Sequence, residues 1–86
     1  MEYCVYVLFS DSHQRTYTGL TNNVERRLAE HNKGQCSSTK HYKPWRLMYV
    51  ELCPDLKSAR ALEKKYKSGY GREKIKKIIT AQTAGN

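Results

Sequence analysis

Eighty-six residues make one domain, and a chain this short buries only about two-thirds of its unfolded surface, so a charged side chain facing its small core is costly. Sixteen Lys and Arg against eight Asp and Glu give a net charge of +8, which suits a polyanionic partner without choosing among DNA, RNA and an anionic membrane surface. No run approaches the roughly 18 apolar residues of a membrane span and no basic-then-apolar leader follows Met1, so neither a membrane-spanning chain nor export by a classical signal is expected. Three cysteines, odd in number and unpaired in spacing, point to a reducing compartment, and a cytoplasmic protein is the expectation.

Tyr3 to Phe9 is rich in β-branched and aromatic residues and predicts a buried strand. Ser10 to Gln14 is a polar turn, and Arg15 to Leu20 predicts a second strand returning antiparallel. With the turn near Asp11 and Ser12, Tyr6 and Tyr17 fall opposite each other on one face, a pairing that a one-residue slip would undo. Gly19 then marks a bulge or a close approach of another group. Asn22 or Asn23 caps a helix beginning at Val24, and Gly34 ends it. Gln35 to Lys43, closed by Pro44, is a polar loop over the site, and Trp45 to Cys53 predicts a third strand. Asp55 caps a second helix running to about Lys67. Ser68 to Gly71 breaks it, and Arg72 to Ile79 forms a last basic helix. The domain spans residues 1–80, and the tail 81–86 has nothing to bury and frays. The order β-β-α-β-α-α predicts an α+β domain, a small three-stranded antiparallel sheet flanked by three helices.

The helices put polar groups where core residues belong. The stripe from Val24 continues through Arg27, Leu28 and His31, while Glu25, Arg26 and Glu30 fall on the opposite face. Arg27 and His31, one turn apart, project together toward the sheet, either as snorkelling boundary residues or as site residues. In the second helix Leu56, Ala59, Glu63 and Tyr66 share a stripe with Leu62 beside it, so Glu63 is core-facing. Its carboxylate either pairs with Arg27 or a lysine, or holds a hard divalent cation such as magnesium. Cys36, His41 and Cys53 lack the paired spacing of a zinc site. There is no Walker loop and no Ser-His-Asp set. Two phenols, a guanidinium, an imidazole and a carboxylate suit phosphodiester cleavage: metal and arginine take up charge on the phosphoryl oxygens while a phenol or imidazole handles the water's proton.

On these residues the chain resembles the GIY-YIG endonuclease family. Cys4-Val5-Tyr6 stands where the family has Gly-Ile-Tyr, and Tyr17-Thr18-Gly19 where it has Tyr-Ile-Gly. Thr21 to His31 looks like the helix bearing the family's arginine with a histidine one turn later. Ser38-Thr39-Lys40, Lys43 to Leu47, and Ala61 to Lys64 with Lys67 look like its small single-domain bacterial branch, which is similar to the nuclease domain of structure-selective, Holliday-type endonuclease subunits. The resemblance covers about Tyr3 to Ile79. It implies that Tyr17 positions or deprotonates the attacking water with Tyr6 in support, that Arg27 contacts the scissile phosphate, that His31 assists proton transfer, and that Glu63 holds one Mg2+ or Mn2+. It departs from the family at Cys4 and Thr18, and no asparagine follows Glu63 before Asn86. Arg27, Lys40, Lys43, Arg46, Lys67, Arg72 and Lys74 are the expected nucleic-acid contacts. The expected function is metal-dependent DNA endonuclease in repair or recombination, with weak or partner-dependent activity, acting on branched or nicked DNA. No membrane and no small-molecule substrate is expected. The alternative is a nucleic-acid-binding module with little or no catalysis, part of a repair complex.

Overall fold

The computed structural model describes residues 2–84, with the side chains of residues 70, 72 and 82–84 outside the description. The elements run β1 (Tyr3–Ser10), β2 (Arg15–Thr21), α1 (Val24–Asn32), a short 3-10 turn (Lys40–Tyr42), β3 (Arg46–Cys53), α2 (Leu56–Tyr66) and α3 (Gly69–Ala84). The three strands form one antiparallel sheet in the order β2-β1-β3, so the α+β expectation holds.

Placing β1 in the centre explains its sequence. Every residue from Cys4 to Ser10 is buried, because both faces of the strand are covered. Val5, Val7 and Phe9 point to the face closed by α2 and α3, where they pack with Met48, Cys53, Ala59, Tyr66 and Ile75. Tyr6 and Leu8 point to the other face and meet Trp45, with Tyr17, Val24, Leu28 and Tyr42 around them. A bulge in β3 pairs Val7 with Tyr49 and Leu8 with Leu47, leaving Met48 as the extra residue, turned into the helical-face core. Beyond it Leu47, Val50 and Leu52 are exposed.

The hairpin register differs from the expected one. Ser10 pairs with Arg15, so the loop is Asp11–Gln14, and Gln14 takes a positive φ of 55° while its side-chain amide donates to the Asp11 carbonyl at 2.8 Å. This longer loop sets Tyr6 opposite Gly19 and Tyr17 opposite Leu8. The two phenols therefore share a face but stand diagonally, with ring centroids 6.3 Å apart.

The last helix is also a correction. The break after α2 is shorter than expected: Gly69 already opens α3, and Gly71 is buried where an added Cβ would run into the Tyr66 backbone. That close corner lets α3 turn straight back onto α2. The helix continues to Ala84, so residues 81–84 are helical rather than tail, and 85–86 lie outside the described residues. No described helix is long and apolar enough to cross a membrane.

Candidate active site

Asn23 is the α1 cap: its side-chain oxygen accepts the Arg26 N–H at 3.1 Å. Gly34, at a φ of 79°, follows the Lys33 cap and lets the chain leave the helix. The cap fixes the phase of the helix, so Val24, Arg27, Leu28 and His31 turn toward the sheet as expected, with Arg26 in solvent. His31 is fully buried, and its Nε2 lies 3.0 Å from the equally buried Tyr6 phenol oxygen. Its Nδ1 lies 2.8 Å from the hydroxyl of Thr39, which is buried in the loop after α1. The loop is pinned there. The Trp45 indole N–H donates to the Thr39 carbonyl at 2.9 Å, and the Asn32 amide bonds both the N–H and the carbonyl of Trp45 at 2.6 and 3.0 Å. Tyr17 is half-buried against the same cluster, its ring centroid 4.9 Å from that of His31.

Gly19 belongs to this geometry. A Cβ there would stand 2.6 Å from the Tyr6 phenol oxygen, so the strand glycine makes room for the phenol. Burial pushes the Tyr6 phenol up to about 12; the nearby Arg27 guanidinium works against that, and Tyr17 adds to it. Burial likewise holds His31 below the usual imidazole value, helped by the Arg27 charge and opposed by Glu30. At neutral pH the pair is therefore a neutral phenol bonded to a neutral imidazole. Arg27 is held protonated, mainly by its bond to Glu30 at 2.9 Å, and Glu30 is held below the ordinary carboxylate range by the same contact. The alternative pairing of Arg27 with Glu63 does not form.

Glu63 lies half-buried on α2, which packs against all three strands, and it meets Lys67 Nζ at 3.6 Å. Lys67 in turn lines a groove of about 340 Å³ with Thr16, Tyr17, Thr18, Tyr66 and Ile75. Tyr17 both packs against His31 and contributes to the lining of this groove, while Glu63 reaches the groove only through its contact with Lys67. Magnesium-type ions keep several waters and take one or two carboxylates plus substrate oxygens. Glu63 could supply one such carboxylate, and no group of three His, Cys, Asp or Glu side chains placed to hold a metal ion occurs among the described residues. The donor set fits a cation shared between one carboxylate and a substrate, and does not fit an all-protein cage. Cys53 belongs to the core on the helical face, and burial pushes both it and Cys4 up, so these thiols stay protonated.

The expected basic contacts divide. Lys40 and Lys43 are exposed on the pinned loop, both beside Gly34. Lys67 is exposed at the groove. Arg46 is drawn to Asp11 at 2.9 Å and lies over the Phe9 ring, bracing the hairpin. Lys74 sits over the Tyr49 and Tyr66 rings, 4.0 Å from Glu51, whose carboxylate accepts both phenols at 2.7 and 2.8 Å. Both cations are thus engaged with neighbouring side chains of the fold. The side chain of Arg72 lies outside the described residues. Thr39 and Asn32 were not singled out as site residues from the pattern; the only signal for them is that a core-facing histidine needs a partner for each ring nitrogen.

The family model described as the GIY-YIG catalytic domain matches residues 2–76. A UPF0213 protein of Syntrophus aciditrophicus is 36% identical over 76 residues, covering 86% of either chain. A UPF0213 protein of Natronomonas pharaonis is 35% identical over 83 residues, 95% of either chain. The structure-specific endonuclease subunit SLX1 homolog of Giardia intestinalis is 41% identical over 49 residues, 54% of this chain, which spans only 14% of that protein. The solution structure of a UPF0213 protein from Bacillus halodurans superposes with a TM-score of 0.54 at 28% identity, over 91% of this chain and 85% of that one.

Proposed function

The chain belongs to the GIY-YIG catalytic domain family, and from that premise we propose that it is a divalent-metal-dependent endonuclease hydrolysing DNA phosphodiester bonds. The observation that carries this reading is the buried Tyr6–His31 hydrogen bond, with Arg27 beside it and Tyr17 leading from it to the groove. Tyr17 orients the attacking water, and Tyr6 and His31 behind it take the proton. Because burial raises the phenol and lowers the imidazole, neither ion exists beforehand: the water's proton reaches the Tyr6 oxygen as the Tyr6 proton passes to Nε2. Arg27 exchanges its Glu30 contact for the phosphoryl oxygens. Glu63 would hold a magnesium or manganese ion, which would supply positive charge to the reacting phosphate. Lys40, Lys43 and Lys67 hold the flanking phosphates. The Giardia relative is named a structure-specific endonuclease subunit, which supports branched or nicked DNA as substrate, a protein partner, and a place in repair or recombination.

One observation favours a second reading, a nucleic-acid-binding module with feeble catalysis: Arg27 is already paired with Glu30. Glu63→Gln tests the enzyme reading. Its ion pair with the more-than-half-exposed Lys67 is one helical turn long and worth about 0.3–0.5 kcal/mol, so the variant should melt within about 4 °C of wild type. Metal-dependent cleavage should collapse while DNA binding stays level. Near-normal turnover by the folded variant would remove Glu63 from the metal site.

A further inference from the structure

We infer that Thr39 is a positioning residue that locks the tautomer of His31 and so points the Tyr6 proton toward the imidazole. This deepens the endonuclease reading and rests on it only for its effect on cleavage. The lock follows from counting donors in a buried cluster, with Tyr6, His31 and Thr39 all out of solvent contact. The Thr39 hydroxyl is 3.3 Å from the Cys36 carbonyl, which can only accept. Donating there leaves the hydroxyl oxygen to accept from Nδ1–H at 2.8 Å. Nε2 is then bare and accepts the Tyr6 O–H at 3.0 Å, with the Arg27 guanidinium close to the phenol oxygen. Each donor has an acceptor.

The reverse arrangement has the Thr39 hydroxyl donating to Nδ1 and Nε2–H donating to the phenol. It strands the Tyr6 hydroxyl proton, since Arg27 is a donor only and the hydrogen bond that the phenol makes among the described residues is the one to His31 Nε2. A buried donor without a partner is strongly disfavoured. The direction also matters for chemistry. Only with Nε2 bare can Tyr6 give up its proton while receiving one from water; the bond to Nε2 forms as the phenol O–H breaks, and Nδ1–H stays on Thr39. The third member of a base-and-orienter set is usually a carboxylate. A neutral hydroxyl suits a site whose imidazole is neutral at rest and whose product is anionic. Thr39 is itself held from behind by Trp45 and Asn32, so its hydroxyl cannot drift.

The test is the nitrogen-15 imidazole spectrum of the intact protein, read beside cleavage of nicked and branched DNA. Wild type should show His31 with Nδ1 protonated and Nε2 bare. Thr39→Val, which keeps shape and loses the hydroxyl, should mix the tautomers and lower turnover by at least about 10-fold, out of the roughly 10²–10⁴ that a positioned acid–base group contributes. KM should change little, and Thr39→Ser should restore both signals. A wild-type spectrum with Nε2 protonated overturns the proposal whether or not any variant folds. So does a folded Thr39→Val protein with the wild-type tautomer and turnover. A wild-type protein that shows the expected tautomer yet cleaves nothing supports the lock and overturns the enzyme reading.

Discussion

His31 is buried with no carboxylate against its ring, and that alone makes it a pH sensor of the fold. Burial, with the Arg27 charge, keeps its folded proton affinity below that of the unfolded chain, which binds a proton near 6.5. Between the two values the unfolded state holds more protons, so stability is full above about pH 6.5 and falls as pH drops, by up to about 1.4 kcal/mol per pH unit. The carboxylates held low by their partners, Glu30, Glu51 and Asp55, contribute above their unfolded values of 4.5 and 3.8 and are lost only below them. The window from pH 7 to pH 5 therefore separates the histidine from these carboxylates, and the His31→Gln comparison separates it from the other two histidines. Wild type should melt progressively lower across it, and His31→Gln should flatten the profile. A wild-type melting temperature level from pH 7 to 5 would mean that the imidazole is not held neutral. At this scale the sequence is informative where a charged type breaks an apolar stripe, as at Arg27, His31 and Glu63. It is silent where the residue is ordinary: a threonine in a polar loop gives no sign that its hydroxyl meets a histidine eight positions earlier.

Among the elements, β1 carries most of the design, giving one face to the site and the other to the core under α2 and α3. Its apolar run, the cap at Asp55 and the choice of Asn22 or Asn23 at the first helix are legible because each is local chemistry, whereas the place of β3 beside β1 is a long-range pairing that no local signal gives. The hairpin register was not, because Gln14 adopts a left-handed conformation more typical of glycine and lengthens the loop. At the α2–α3 corner the two helices separate as expected, but α3 begins at Gly69 rather than Arg72, for a related reason. Glycines at 69 and 71 look like a break, but the second is required by contact with Tyr66, a long-range fact. Gly19 is the element-scale test of the site. In Gly19→Ala the new methyl would press on a phenol already enclosed by Tyr17 and His31, and overpacking of this kind costs about 1–3 kcal/mol. The variant should lose about 4–8 °C in melting temperature per kcal/mol and should lose the Tyr6–His31 bond. An unchanged melting temperature would show that the strand accommodates the methyl, and that Gly19 does not define the phenol's place.

At the scale of the molecule, the excess of 16 basic over 8 acidic side chains suits a phosphate backbone, but charge alone does not distinguish a binder from an enzyme. The distinction rests on Arg27, which projects toward Tyr6, against its neighbour Arg26, which is mostly exposed. A guanidinium that strengthens its hold in the transition state governs rate more than affinity. The decisive measurement is cleavage of single-stranded, duplex, nicked and four-way DNA by wild type, Arg26→Ala and Arg27→Ala, with magnesium or manganese and with chelator, alongside binding to the same substrates. Wild type should cleave only with metal, favouring nicked or branched substrates. Arg26→Ala should stay close to it, and Arg27→Ala should lose about 10²-fold or more in rate with a far smaller loss in binding. Metal-independent cleavage, no cleavage of any substrate, or equal losses at the two arginines would contradict the account.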